Sequence, residues 1–305
     1  MLKRFTTLSP QKNMLFLSFL LPLFVMMVIY ATMGVYPFGN STLLTVDLGQ
    51  QYVDFFSYYR TTLLSDPSAL FFSFTKSFGG EMLGLWAYYL MSPFNLIFLL
   101  FPQSQLPLAV TILILMKVSA SGLTFAHLLI SRFEGKGLLV PSFAVSYALM
   151  GYVIVNQLNV MWLDGLVFLP LIILGLEKLL SGESGLYYSL FLAVMLLSNY
   201  YIGFMICVFL VFYYLFAFSR QELVSTNNLK AQLKHFFTQS ARFIGYSLLG
   251  AGFAAVLLLP TFYSLLGSKA SYANKLIDWR FAYDPFEVVS KFYIGAFNFD
   301  QMPSG

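Results

Sequence analysis

Long apolar runs are the feature that most constrains this 305-residue chain. A helix needs about 20 mostly apolar residues to cross the hydrocarbon of a bilayer, and several stretches are long enough. Charged residues make up only 10% of the chain, whereas a soluble domain carries about 25%. Because so few charges cannot cover a soluble surface, the composition excludes a soluble enzyme, a disordered chain and an ordinary nucleic-acid binder. The sequence predicts an all-α polytopic membrane protein.

About seven crossings are predicted from these runs. The stretch 186–218 is too long for a single crossing, and we divide it at the polar turn Ser198-Asn199-Tyr200-Tyr201. The predicted crossings are residues 14–36, 106–130, 137–155, 160–180, 186–198, 200–218 and 243–266. They form one membrane module over residues 1–266, in which residues 37–105 are a long first external loop.

Charge decides the placement of the stretch 82–101. It is apolar enough to cross, but Ser92-Pro93-Phe94-Asn95 indicates a break. Cytoplasmic loops are enriched in Lys and Arg. If the stretch does not cross, ten basic residues lie inside and six outside; if it crosses, seven lie inside and nine outside. The count favours a re-entrant or surface position for 82–101, a cytoplasmic N-terminus and an extracytoplasmic first loop.

Cys and His, the residues that most often bind metals or form disulfides, are scarce. The chain has one Cys and two His, which excludes a disulfide framework and argues against a Cys- or His-based metal centre. No nucleotide-binding glycine motif is found, and no cofactor is expected.

Residues 267–305 carry acids and end without a closing helix. We therefore expect them to begin an external loop or domain of a longer protein.

Asp47 is the first candidate catalytic residue. Four polar residues recur at helical spacing from this position and share one face: Asp47, Gln51, Asp54 and Tyr58. Three aromatic residues can bury in the membrane interface beside them: Phe55, Phe56 and Tyr59. The pattern predicts an amphipathic surface helix that presents acids to the outside. The simpler alternative is that Asp47 caps this helix, with Gln50 completing a capping box.

Asp164 and Lys117 are charged positions at or within apolar runs. Asp164 lies near the start of the predicted crossing 160–180 and is followed directly by an apolar run, where a carboxylate is costly unless it lines a wet cavity. It is either a second site acid or a helix N-terminal acid stabilised by the helix dipole. Lys117 lies near the middle of the predicted crossing 106–130. It either snorkels to the interface or contacts a lipid phosphate or a buried carboxylate.

The remaining candidates are substrate-binding residues. Arg60 can pair with a phosphate at the outer leaflet, although a surface Arg is often simply solvated. Asn199 and Tyr200, at the outer end of two crossings, can hydrogen-bond and stack on a sugar, but such residues also populate ordinary interfacial belts. Gln51 and Asp54 accompany Asp47 on the surface helix.

Three segments of the chain resemble the bacterial YfhO family. They are Val46-Asp47-Leu48-Gly49-Gln50-Gln51-Tyr52 with Phe55-Phe56, the stretch from Gly79-Gly80 to Tyr88-Tyr89-Leu90-Met91-Ser92-Pro93-Phe94-Asn95, and Ser198-Asn199-Tyr200-Tyr201-Ile202-Gly203. The family is similar to the GT-C glycosyltransferases, which are multi-helix membrane enzymes. The resemblance implies a GT-C-like fold and a sugar donor carried on polyprenyl phosphate at the outer face of the cell membrane.

The same resemblance implies roles for individual residues. Asp47 would be the general base or the carboxylate that orients the acceptor, and Asp164 a second site acid. The implied reaction is a single displacement that inverts the anomeric carbon, with a glycopolymer such as lipoteichoic acid as acceptor. The paired acidic motif of metal-dependent oligosaccharyltransferases is not evident, so no bound divalent cation is indicated.

Two other function classes stay open. A transporter or lipid flippase would need Lys117 and acids along a pathway through the bilayer, often with internal repeats, and no repeat is found. A scaffold for envelope synthesis would need no catalytic residue at all, so it predicts that Asp47→Asn leaves function intact.

Overall fold

The computed structural model describes residues 10–76, 78–133, 137–220 and 229–266. The chain divides into two compact units, residues 1–264 and residues 265–305. The predicted external tail over residues 267–305 lies outside the described residues.

The described residues are almost entirely helical. Their α-helices are α1 (Pro10–Thr32), α2 (Val53–Leu64), α3 (Leu83–Leu85), α4 (Leu106–Phe133), α5 (Leu139–Ala148), α6 (Gly151–Asn156), α7 (Leu163–Leu180), α8 (Leu186–Ser198), α9 (Tyr200–Ser219) and α10 (Leu229–Leu266). Shorter π- and 3-10 helices are Leu48–Tyr52, Pro67–Leu70, Trp86–Leu90, Pro93–Leu99 and Gln103–Gln105. The two-residue strands β1 (Phe72–Ser73) and β2 (Gly80–Glu81) pair in antiparallel fashion, with Phe72 opposite Glu81.

Five helical stretches in the described part of the chain are long and apolar enough to cross a membrane. They are Gln11–Thr32, Gln103–Phe133, Leu139–Asn156, Tyr200–Ser219 and Lys230–Leu266. This finding confirms the class of all-α membrane protein. Two further predicted crossings fall on α7, which carries three charged residues, and on α8, which is a shorter apolar helix of 13 residues.

The first and last predicted crossings differ from the observed helices by several residues at one or both ends. α1 ends at Thr32, before the predicted end at residue 36, because Gly34 adopts a φ of +64°. The amides of Gly34 and Val35 donate to Ala31 O and Tyr30 O, which is the hydrogen-bond pattern of a Schellman cap. α10 begins at Leu229, well before residue 243, because a helix can continue beyond the hydrocarbon through polar residues.

α4 is the central helix of the bundle. It packs against α1, α5 and α7, and 72% of its apolar window is buried, against 17 to 28% for the other four stretches. Close packing on α1 depends on Gly122, because a Cβ built there would lie only 2.5 Å from the backbone oxygen of Ser18. Small residues permit such backbone approach between membrane helices.

Residues 43–105, here called the loop layer, pack on one end of this bundle. The side chains of Phe56 and Tyr59 are buried as predicted, but they pack into protein rather than into a membrane interface. Phe56 stacks on Phe98 with ring centroids 4.2 Å apart, and Tyr59 contacts Trp86 at 5.4 Å. The reason is that the segment 82–101 folds over α2. This segment forms no continuous helix, since it breaks after Leu90 before the 3-10 turns begin at Pro93.

Candidate functional site

Asp47 is exposed at the start of the loop layer's first helical segment. The preceding Val46 has a φ of +50°, which is rare for a β-branched residue and marks a constrained turn. The next residue, Leu48, is fully buried and anchors the turn to the core. The capping alternative is wrong, because the Asp47 side chain makes no capping hydrogen bond. Its carboxylate therefore stays available at the surface.

The surroundings of Asp47 are aromatic. We call Tyr52, Tyr88, Tyr89, Trp162 and Tyr200 the aromatic cluster. The rings of Tyr52 and Tyr89 are 5.2 Å apart, those of Tyr88 and Tyr89 are 4.5 Å apart, and those of Tyr88 and Tyr200 are 5.7 Å apart. The Tyr52 hydroxyl lies 3.4 Å from Asp47 Oδ2, which joins the carboxylate to the cluster. Aromatic faces can stack on a sugar ring, and a carboxylate beside them can accept hydrogen bonds from the sugar hydroxyls.

The aromatic cluster is held in place by polar groups from distant helices. Trp162 Nε1 donates to the Tyr88 hydroxyl at 3.3 Å, and Asn199 Nδ2 donates to Tyr88 O at 2.8 Å. The Tyr52 hydroxyl also lies 3.3 Å from Asn159 Oδ1. Three separate parts of the chain thus meet at this surface.

Ionisation of the cluster is suppressed. Burial, with the neighbouring Tyr88 and Asp47, raises the pKa of Tyr89 to about 12. Burial, with the neighbouring Tyr89 and Asp47, also raises the pKa of Tyr52. Both hydroxyls therefore remain hydrogen-bond donors over a wider pH range than free tyrosine.

Asp164 lies below this surface in a fully buried ion pair. Lys117 Nζ is 2.8 Å from Asp164 Oδ2 and also donates to Val160 O at 2.9 Å. Ser92 Oγ donates to Asp164 Oδ1 at 2.8 Å. Lys117 is 1% exposed and Asp164 0%. We call Ser92, Lys117 and Asp164 the buried clamp, because it ties the loop layer to α4 and α7.

The buried clamp decides between the alternatives for its members. Snorkelling of Lys117 is wrong, and contact with a buried carboxylate is confirmed. Asp164 does lie in the first turn of α7, as its helix-dipole alternative requires. The other alternative, a second site acid that lines a wet cavity beside Asp47, is not met, because Asp164 is 0% exposed.

The other expected substrate-binding residues are dispersed. Gln51 and Asp54 are exposed on the face that their spacing predicts. Arg60 Nε donates to Phe101 O at 2.7 Å, which holds this side chain against the loop layer. Asn199 is fully buried, where its Oδ1 caps α9 by accepting from Ile202 N at 2.7 Å. Tyr200 is half-buried and belongs to the aromatic cluster.

Two cavities flank the wall formed by α2 and the Trp86–Leu90 turn. The apolar cavity, of about 570 Å³, is lined mainly by hydrophobic side chains of the loop layer, α8 and α10, including Leu90, Pro93 and Leu257. The polar cavity, of about 510 Å³, is lined by Asp54, Asp66, Lys76 and several hydroxyl-bearing residues. Tyr58 lines the polar cavity and accepts from Nε1 of Trp86, which lines the apolar one.

Most members of the aromatic cluster were not predicted as site residues. Tyr88 and Tyr89 stand beside the Ser92-Pro93 break, and Trp162 precedes Asp164 by two positions. Their aromatic character was visible, but the same character is typical of interfacial belts. Within the described residues, no group of three or more His, Cys, Asp or Glu could hold a metal ion.

Comparison with known proteins gives one family. The family described as bacterial membrane protein YfhO matches residues 18–304. Comparisons with curated proteins and with solved structures give no match. The family match covers nearly the whole chain, including the bundle, the loop layer and the buried clamp. The chain therefore belongs to the YfhO family of bacterial membrane proteins.

Proposed function

We propose that the protein is a membrane glycosyltransferase that moves a sugar from a polyprenyl-phosphate donor to an extracytoplasmic cell-envelope glycopolymer, such as lipoteichoic acid. The observation that carries the proposal is an exposed carboxylate, Asp47, set in the aromatic surface of the loop layer. A sugar-transfer site needs a base, a platform for the sugar and a place for a lipid tail. Residues of the loop layer contribute to all three, since they supply Asp47, the aromatic cluster and part of the lining of the apolar cavity.

Asp47 is the proposed general base. It would accept the proton of the acceptor hydroxyl as that oxygen attacks the anomeric carbon, while the lipid phosphate leaves on the opposite side. One displacement of this kind inverts the carbon, as in single-step glycoside chemistry. The constrained turn at Val46 and the Tyr52 hydroxyl fix the direction of the carboxylate.

The apolar cavity is the proposed site of the donor's isoprenoid tail. Its wall residue Leu90 directly follows Tyr88 and Tyr89 of the aromatic cluster. Tyr59 of its lining lies about 18 Å along the helical segment from Asp47, so a lipid bound there would extend its phosphate and sugar along the loop layer to reach the carboxylate. The apolar lining lets a tail of branched apolar units pass from the hydrocarbon of the bilayer into the cavity without contact with water.

Other expected residues receive indirect roles in this proposal. Lys117 and Asp164 hold the loop layer and take no part in the chemistry, since each neutralises the other in a buried position. Arg60 lies roughly 20 Å along the helical segment from Asp47, by the rise per residue, and cannot act on the same anomeric carbon. Asn199 orients Tyr88, and Tyr200 packs beside it.

The test is transfer of a radiolabelled sugar from a polyprenyl-phosphate donor in proteoliposomes. Asp47→Asn should lower the rate by about 10²- to 10⁴-fold, because it removes the base and keeps the shape. Glu183→Gln is the matched control, since it neutralises an exposed carboxylate in the turn between α7 and α8. Equal transfer by wild type and Asp47→Asn would overturn the assignment of the base, whereas no transfer by wild type would favour the scaffold alternative.

The transporter alternative receives no comparable support. Lys117, its expected pathway residue, is paired with Asp164 and has only 1% of its surface exposed. An ion translocation pathway would require that charge to face a water-filled space.

A further inference from the structure

The polar cavity is a second site with its own chemistry. It lies across the wall of α2 from the apolar cavity, and its volume of about 510 Å³ is within the usual range for small-molecule sites. Asp54, at one end of its lining, lies about two helical turns after Asp47 along the same helical face, which is about 10 Å. A short saccharide could span that distance.

The lining of this cavity favours a ligand that donates hydrogen bonds. The carboxylate of Asp54 is exposed and has no hydrogen-bond partner among the described residues, and among the same residues the carboxylate of Asp66 accepts only from the hydroxyl of Ser68. Gln103 Nε2 donates to Ser57 Oγ at 3.2 Å and to Thr61 Oγ1 at 3.0 Å. Those two hydroxyls can therefore still donate to a ligand, while the carboxylates can only accept.

Charge in the cavity disfavours an anion. Among its described lining residues, Asp54 and Asp66 are acidic and Lys76 is basic. The Lys76 ammonium group donates to Glu81 O at 2.7 Å, which turns part of its hydrogen-bonding capacity away from a ligand. A phosphate would bring more negative charge and only acceptor atoms, whereas sugar hydroxyls donate and accept.

Aromatic side chains complete a carbohydrate site. Phe55 and Tyr58 line the cavity, and the Tyr58 hydroxyl is already engaged with Ala69 O at 2.7 Å. The Phe55 ring also contacts Tyr89 with centroids 4.9 Å apart, so the cavity adjoins the aromatic cluster. Apolar ring faces beside carboxylates match the two-sided character of a sugar, which has apolar C–H faces and polar edges.

We propose that the polar cavity binds the acceptor through one uncharged, hydroxyl-rich saccharide or polyol unit and discriminates against phosphate, so that a phosphate-bearing acceptor such as lipoteichoic acid would keep its phosphates outside the cavity. The role of the ligand as an acceptor rests on the proposed function, but binding of a saccharide to the cavity can be measured without transfer. The acceptor chain would lie across Asp54 and Asp66 and extend one hydroxyl toward Asp47. The donor would approach from the other side of the α2 wall.

The experiment measures binding of cellobiose and of cellobiose 1-phosphate to the full chain in lipid nanodiscs, by saturation-transfer NMR without a donor. We expect cellobiose to bind at least about tenfold more tightly than its phosphate, a difference of about 1.4 kcal/mol. Asp54→Ala should weaken cellobiose binding by at least about tenfold, because charged hydrogen bonds are lost. Glu183→Ala, which removes an exposed carboxylate elsewhere, should leave it unchanged.

Two results would overturn the inference: unchanged cellobiose binding in a folded Asp54→Ala/Asp66→Ala variant, or equal binding of the phosphate. Far-UV circular dichroism of the same samples establishes that the variant is folded. If wild type transfers sugar and the double variant still binds cellobiose normally, only this inference fails. If wild type transfers nothing but shows the expected binding pattern, the proposed function fails and the saccharide site stands.

Discussion

The buried clamp permits a sharp test of its energetics. Asp164→Leu would leave the Lys117 ammonium group 1% exposed, with Val160 O as its remaining hydrogen-bond acceptor. At 2.8 Å the pair attracts by about 6 kcal/mol at an effective dielectric constant of about 20, which offsets the cost of burying both charges. Breaking a buried pair by removing one partner typically costs about 3–5 kcal/mol. We expect that loss for Asp164→Leu and for Lys117→Met.

The double variant separates charge pairing from packing. Lys117→Met/Asp164→Leu removes both charges and keeps apolar volume, so it should be more stable than either single variant and within about 2 kcal/mol of wild type. The coupling free energy between the two positions should therefore be about 4 kcal/mol or more.

The native thiol provides the assay. Cys207, the single cysteine, is half-buried on α9, so a thiol-reactive fluorophore reports its exposure during heating. The single variants should lower the apparent Tm by about 10 °C, and the double variant by much less. Lys12→Met and Glu183→Leu change exposed charges and serve as matched controls. Additive losses in the double variant would refute the reasoning, since they would show that the two charges do not stabilise each other.

Three further predictions concern packing, hydrogen bonding and ionisation. Gly122→Ala should destabilise by about 1–3 kcal/mol in the same assay, because its Cβ would meet Ser18 O, whereas Gly252→Ala meets nothing within 4 Å and should be neutral or better. Ser92→Ala should cost about 1.5–3 kcal/mol, since Asp164 loses a buried donor, and equal Tm values for Ser92→Ala and wild type would contradict this role. The pKa of Tyr89 is raised from 10.0 to about 12, so between these pH values the folded state keeps a proton that the unfolded state has lost. Stability should fall as the pH rises through this window, and the fall should be smaller in Tyr89→Phe.

Local features of the loop layer were predictable from residue spacing. The helical spacing of polar residues from Asp47 correctly placed Gln51 and Asp54 on an exposed face. The Ser92-Pro93 pair correctly marked a break in the helix. A helical repeat reports which face of one element is polar, and a proline reports where a helix cannot continue. Both signals depend on neighbours in the chain.

The partners of the charged residues were not predictable in the same way. Lys117 and Asp164 are 47 positions apart, and the Tyr52 hydroxyl meets Asn159 across 107 positions. The cost of burying a lone charge indicated that Lys117 needs a partner, but periodicity cannot say which distant side chain supplies it. The alternative of a second site acid required Asp164 to line a wet cavity, and the packing of Ser92 and Lys117 against its carboxylate, which excludes this, is a contact between distant parts of the chain.

The length of α10 has a consequence for how the protein meets the lipid headgroups. Its 38 residues extend about 57 Å, whereas the hydrocarbon is about 30 Å thick. Nearly half of the helix must therefore protrude as a rod, and its N-terminal part carries Lys230, Lys234 and Arg242. Positive charges near an anionic leaflet gain about 1 kcal/mol each. We therefore expect the protruding part of α10 to bind an anionic leaflet through these three side chains and so to limit how deeply this helix sits in the bilayer.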